Sequence, residues 1–120
     1  MKVLVVDDNR FLADTIQGIL EADGLEVMYA KDGVDGYWAY LSFRPDVIIT
    51  DIQMPRKNGL EMMKSIRVHN PTIRTIYMSG NMDSFRPFLA EEKQRYPVSY
   101  FEKPFSLESL MREVTERTVN

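Results

Sequence analysis

Short runs of β-branched and apolar residues alternate along this chain with segments whose apolar positions recur every third or fourth residue. That alternation predicts βα units arranged around a parallel sheet, and five such units fit. Lys2–Val6 reads as the first strand. Asn9 to Asp23 reads as a helix with Phe11, Leu12, Ile16, Ile19 and Leu20 on one stripe, closed by Gly24. Glu26–Ala30 is a second strand, and Val34–Phe43 a helix carrying Tyr37, Tyr40 and Leu41, with Pro45 beyond its end. Val47–Thr50 is the third strand. Leu60, Met63 and Ile66 mark a third helix that ends before Pro71, and Thr75–Met78 is the fourth strand. A fourth helix over Met82–Gln94 is short or kinked because Pro87 interrupts it. Tyr100-Phe101 makes a brief fifth strand, and Ser106 caps a last helix whose Leu107, Leu110, Met111 and Val114 share a face.

Composition narrows the class. With 120 residues, 44% of them hydrophobic and 28% charged, the chain is expected to form a single domain over residues 1–120, with no room for a second. No run approaches the roughly 18 apolar residues needed to cross a bilayer. Met1-Lys2 leads into a strand rather than a signal peptide, so a soluble, cytoplasmic protein with no membrane partner is expected. The chain has no cysteine, which excludes a disulfide framework, a thiolate metal site and cysteine catalysis. A net charge of −3 and a pI near 5.2 argue against a nucleic-acid surface on this chain, and point to protein partners.

Candidate chemistry gathers at strand ends. In an open parallel sheet ligands bind beyond the carboxyl ends of the strands, and Asp7-Asp8, Asp51, Ser79 and Lys103 each follow a predicted strand. Three converging carboxylates need cations. Lys103 supplies one charge and a divalent ion two; oxygen donors alone favour Mg²⁺, with Mn²⁺ as a substitute, over zinc. A carboxylate held beside such a metal and an amine is a nucleophile able to form an acyl phosphate.

Four segments stand in a telling order: Val5-Val6-Asp7-Asp8; Pro45–Asp51 with Ile52-Gln53-Met54-Pro55 and Gly59; Met78-Ser79-Gly80; and Tyr100-Phe101-Glu102-Lys103-Pro104-Phe105. Together they resemble the receiver domain of two-component response regulators over essentially the whole chain. The resemblance implies an α/β, flavodoxin-like (βα)5 fold, a doubly wound parallel sheet of strand order 2-1-3-4-5 in a three-layer sandwich. It implies that Asp51 is the phosphoacceptor. Mg²⁺ would be held by Asp8, Asp51 and the backbone carbonyl of Gln53, and by Asp7 through water. Lys103 and Ser79 would bind the phosphoryl group, Ser79 and Tyr100 would act as a switch, and Gln53 and Asn81 would tune the lifetime of the phosphorylated state. A cis peptide is implied before Pro104.

The implied partners are a histidine kinase or phosphotransfer protein and, through the face of the fourth helix, fifth strand and fifth helix, a downstream protein or the chain's own effector domain. A phosphorylation-dependent homodimer belongs to the same picture. Such a domain is not an enzyme; it catalyses only its own phosphorylation and dephosphorylation.

Tyr96-Pro97 departs from the family, where a Gly-Ala pair is usual, and with Pro87 it puts the fourth helix in question. Arg10, Arg56, Lys57 and Arg86 read as a solvated face, and His69 as a helix-terminal charge. The Tyr37, Trp38 and Tyr40 group reads as packing. Two other functions bear weighing. One is a pseudo-receiver that binds partners without phosphorylation. The other is a haloacid-dehalogenase-type phosphatase, which needs an acid two residues after its nucleophile, where this chain has Gln53.

Overall fold

Parallel strands in the order β2-β1-β3-β4-β5 form the sheet of the computed structural model, which describes residues 1–119, with side chains to Thr115. Asn120, the last residue of the expected domain, lies outside the described residues. The strands are β1 (Lys2–Val6), β2 (Glu26–Ala30), β3 (Val47–Asp51), β4 (Arg74–Ser79) and β5 (Val98–Glu102). The helices are α1 (Arg10–Ala22), α2 (Gly33–Phe43), α3 (Gly59–His69), α4 (Arg86–Arg95) and α5 (Leu107–Val119). Among the described residues, no helix is long and apolar enough to cross a membrane.

Alternation along the central strands divides the core in two. Leu4, Val6, Ile48 and Tyr77 face one side, where they meet Tyr40 of α2, Met62, Met63 and Ile66 of α3, and Leu89 of α4. Val3, Val5, Val47, Ile49, Ile76 and Met78 face the other, against Ala13, Ile16 and Leu20 of α1 and Leu110 and Val114 of α5. Because β1 and β3 are covered on both faces, they carry continuous apolar runs with no polar alternation.

α1 starts where the Asn9 side chain accepts from the Leu12 N–H, and it ends in a Schellman arrangement. There Gly24 sits at φ 87°, while the Gly24 and Leu25 N–H groups donate to the Glu21 and Leu20 carbonyls. Phe11 does not join the stripe expected of it and is 83% exposed. It lies about 200° round the helix from the buried Ala13, which is the wrong phase to reach the sheet. Trp38 likewise is 64% exposed, whereas Tyr40 is buried.

The fourth crossover resolves the proline question. Met82–Phe85 forms a 3₁₀ turn, and Pro87 falls in the first turn of α4, where its missing N–H would have had no helical partner. Tyr96, pushed to an extended conformation before Pro97, ends the helix. α4 buries little apolar surface beyond Leu89, and a polar network secures it instead. Arg67 of α3 donates to Glu92 Oε1 at 2.6 Å and to Thr75 Oγ1 at 3.2 Å, and Tyr77 donates to the same Glu92 oxygen at 2.8 Å. The Tyr96 ring lies 4.1 Å from the Arg67 guanidinium. β5 is longer than its two-residue apolar core suggests, because it pairs with β4 from Val98 to Glu102.

Candidate functional site

Register brings the site together. Val6 lies opposite Thr50, Asp51 opposite Met78, and Ser79 opposite Glu102, so the residues that end or follow β1, β3, β4 and β5 share one edge of the sheet. The Asp7 N–H donates to the Ala30 carbonyl, and the Lys103 N–H to that of Ser79, extending the ladder by one rung at each place.

Asp7, Asp8 and Asp51 each present one carboxylate oxygen, and these oxygens all lie within 4.8 Å of one another. Like charges at such separations repel by about 3 kcal/mol per pair at an effective dielectric near 20. Asp7 is fully buried, Asp51 nearly so, and Asp8 is exposed at the rim. Lys103 Nζ sits 3.2 Å from Asp7 Oδ2 and 3.5 Å from Asp51 Oδ1. One ammonium does not offset three acids. Burial, and then the charge of Asp7, push the Asp51 carboxyl up to about 6 against the pull of Lys103. The donors are all hard oxygens, a set that fits Mg²⁺ or Mn²⁺ and suits zinc poorly.

The remaining expected residues are placed as follows. Ser79 is fully buried, and its Oγ accepts from the Asn81 N–H at 2.9 Å. Asn81 itself is exposed, as is Gln53 on the loop after Asp51. The Lys103-Pro104 peptide is cis. Tyr100 is 37% exposed on β5, with Lys93 Nζ 5.5 Å from its ring centroid. It stands on the outer face rather than in the acid cluster. His69 takes no part in the cluster; its Nε2 is 2.8 Å from the Tyr37 hydroxyl.

Several residues support the site through contacts that the sequence does not record. The Asn9 N–H donates to Asp7 Oδ1, the Tyr29 hydroxyl to the Asp7 carbonyl, and the Thr50 hydroxyl to the Asp51 carbonyl. Asp51 Oδ1 accepts from the Ile52 N–H at 3.1 Å. Gly59 packs so closely that a Cβ there would strike the Asp51 carbonyl, which is why the motif needs glycine. The basic residues expected to form a solvated face each meet a side-chain partner: Arg10 meets Asp14, Arg56 Asp32, Lys57 Ser65, and Arg86 Asp83.

Comparison with known proteins gives a consistent picture. The model of the response regulator receiver domain matches residues 3–115. The chain is 33% identical to the response regulator MprA of Mycobacterium avium over 98% of its length, covering 52% of that protein. It is 31% identical to a protein-glutamate methylesterase/protein-glutamine glutaminase of Haloarcula marismortui over 87% of its length, covering 28% of that protein. The chain thus spans about half the length, or less, of these curated relatives. The structure of the receiver domain of Francisella response regulator 1452 superposes with a TM-score of 0.83 at 31% identity, covering 98% of both chains. The chemotaxis response regulator CheY4 of Vibrio cholerae gives 0.81 at 28% identity, covering 96% of both. A model matched along almost the whole chain, with relatives above 30% identity across it, leaves one assignment: the chain belongs to the receiver domains of two-component response regulators.

Proposed function

We propose that Asp51 accepts a phosphoryl group from a histidine kinase or phosphotransfer protein, and that the charge it gains changes the surface read by a partner. What supports this is the nearly buried Asp51 carboxylate, close to Lys103 and to two further acids. With its carboxyl pushed up to about 6, Asp51 is still mostly ionised at neutral pH and so available as a nucleophile. One Asp51 oxygen forms the new O–P bond as the P–N bond of a phosphohistidine breaks, the electron pair leaving with the imidazole. Asp8, Asp51, the Gln53 carbonyl and, through water, Asp7 are the proposed holders of Mg²⁺, which supplies charge neutralisation for the transferring oxygens when bound. Lys103 stabilises the same oxygens through its ammonium, and Ser79 donates its hydroxyl. Gln53 and Asn81 flank the site and are proposed to set the access of water, and thereby the lifetime of the phosphorylated state.

Phosphorylation exchanges one negative charge for about two. The Ser79 hydroxyl is drawn towards the added charge, and Tyr100 leaves its outward position beside Lys93, altering the α4–β5–α5 face. One charge-assisted bond contributes about 1.5–3 kcal/mol, whereas swinging a switch from mostly off to mostly on takes about 5.5 kcal/mol. Several contacts therefore change together. Residues 1–120 are proposed to act as one receiver unit whose output passes through that face to a downstream protein, an attached effector domain or a second copy. Its catalysis is confined to its own phosphorylation and dephosphorylation. Intact mass after incubation with acetyl phosphate and Mg²⁺ tests the central step: the wild type should gain one phosphoryl group and Asp51→Asn none. Equal labelling of the two would refute the assignment.

A further inference from the structure

The loop between β3 and α3 is tied down at three places. At its base the Gly59 N–H donates to the Ile52 carbonyl at 2.8 Å. At its far side the Gly33 N–H donates to the Lys57 carbonyl at 3.1 Å, and Gly33 lies so close that a Cβ would collide with that carbonyl. Between these points the Lys57 N–H closes a three-residue turn on the Pro55 carbonyl at 2.7 Å. The central residue of that turn, Arg56, has φ 68°. A γ-turn with positive φ at its centre is a strained conformation, and glycine or asparagine would adopt it more readily.

Arginine at such a position calls for a side chain with work that a small residue cannot do. Its guanidinium reaches Asp32 Oδ2 at 3.2 Å and approaches Asp35 Oδ1 at 3.8 Å. Asp32 is 2% exposed, and its other oxygen caps α2 by accepting from the Asp35 N–H at 2.8 Å. Arg56 is the cation that the structure pairs with this buried carboxylate. The ion pair therefore locks the turn of the loop to the N-terminus of α2, an element rooted in the core through Tyr40 and Phe43.

We propose that Arg56 and Asp32 form a clamp that positions the Ile52–Asn58 loop, and with it the backbone at Gln53 that completes the metal site. Arg56 is a positioning residue: its charge is spent on Asp32, and it acts on the ion only through the backbone. This rests on the reading that the acid cluster takes Mg²⁺.

Titration calorimetry with Mg²⁺ alone, together with amide hydrogen exchange, tests the clamp on the whole chain. Arg56→Asn keeps the left-handed tolerance of the turn and removes the cation; it should weaken Mg²⁺ binding by about tenfold and speed exchange at the Lys57 and Gly33 amides. Asp32→Asn keeps the helix cap and should weaken binding similarly, and the double variant should be no worse than either single one. Arg56→Lys, which retains the cation, should restore most of the affinity. Arg56→Asn and Asp32→Asn both binding Mg²⁺ within about twofold of the wild type would overturn the clamp. A wild type that binds no Mg²⁺ would overturn the metal reading beneath it, which is a distinct result.

Discussion

Removing the negative charge of Asp51 should make the metal-free protein more stable, even though it abolishes the proposed acceptor. In the folded chain the Asp51 carboxyl is raised from 3.8 to about 6, first by burial and then by Asp7. Between those two values the folded state holds a proton that the unfolded chain has already released, so stability falls as pH rises through this window. At about 1.4 kcal/mol for each tenfold change in acidity, the full penalty above pH 6 is about 3 kcal/mol. The site opens to solvent at the Asp8 rim, and screening there reduces the expected gain of Asp51→Asn to about 2 kcal/mol at pH 7. The asparagine can still accept from the Ile52 N–H, and Lys103 keeps Asp7 as its partner. For a domain of this size about 4 °C accompanies each kcal/mol, so the melting temperature should rise by about 8 °C. Thermal and urea denaturation in chelator at pH 4, 5, 6 and 7 measures the difference between the variants, which cancels the other acids. The gain should be near zero at pH 4 and complete by pH 7. Adding Mg²⁺ at about a hundred times its dissociation constant should stabilise the wild type by about 2.7 kcal/mol and the variant by less, closing the gap. A gain of the same size at pH 4 and pH 7, or no gain at pH 7, would refute the electrostatic account of the site.

Two further perturbations reach the fold around the site. Gly59→Ala places a methyl against the Asp51 carbonyl and the Thr50 hydroxyl; it should cost about 1–3 kcal/mol in urea denaturation and slow phosphorylation at Asp51. Glu92→Ala leaves the buried Arg67 guanidinium and the Tyr77 hydroxyl without their shared acceptor; a loss of about 3 kcal/mol is expected, and Arg67→Met with Glu92→Leu should recover most of it.

How far the residues alone carry depends on the kind of signal. Central strands show themselves as apolar runs because both of their faces are covered, and Gly24, Asn9 and Pro71 mark helix ends through local backbone chemistry. Asp7, Asp8, Asp51, Ser79 and Lys103 stand out because each follows such a run. Phe11 misleads, since an apolar residue about half a turn out of phase is not told apart from the stripe until the helix is docked. β5 looks shorter than it is because Val98, Ser99 and Glu102 are held by pairing with β4 rather than by their own pattern. Pro87 and Tyr96-Pro97 look like obstacles to α4 yet merely define its two ends.

Local chemistry therefore determined the order of elements, the class of fold, and which acids and which lysine stand at strand ends, since these depend on spacing within a few residues. Only the folded chain decided how far apart the carboxylates sit, that Asp51 is forced towards its neutral form, that Arg67, Glu92 and Tyr77 anchor α4, and that Arg56 reaches Asp32. Those properties arise between residues far apart in sequence, where burial and charge act through space and no periodicity along the chain records them.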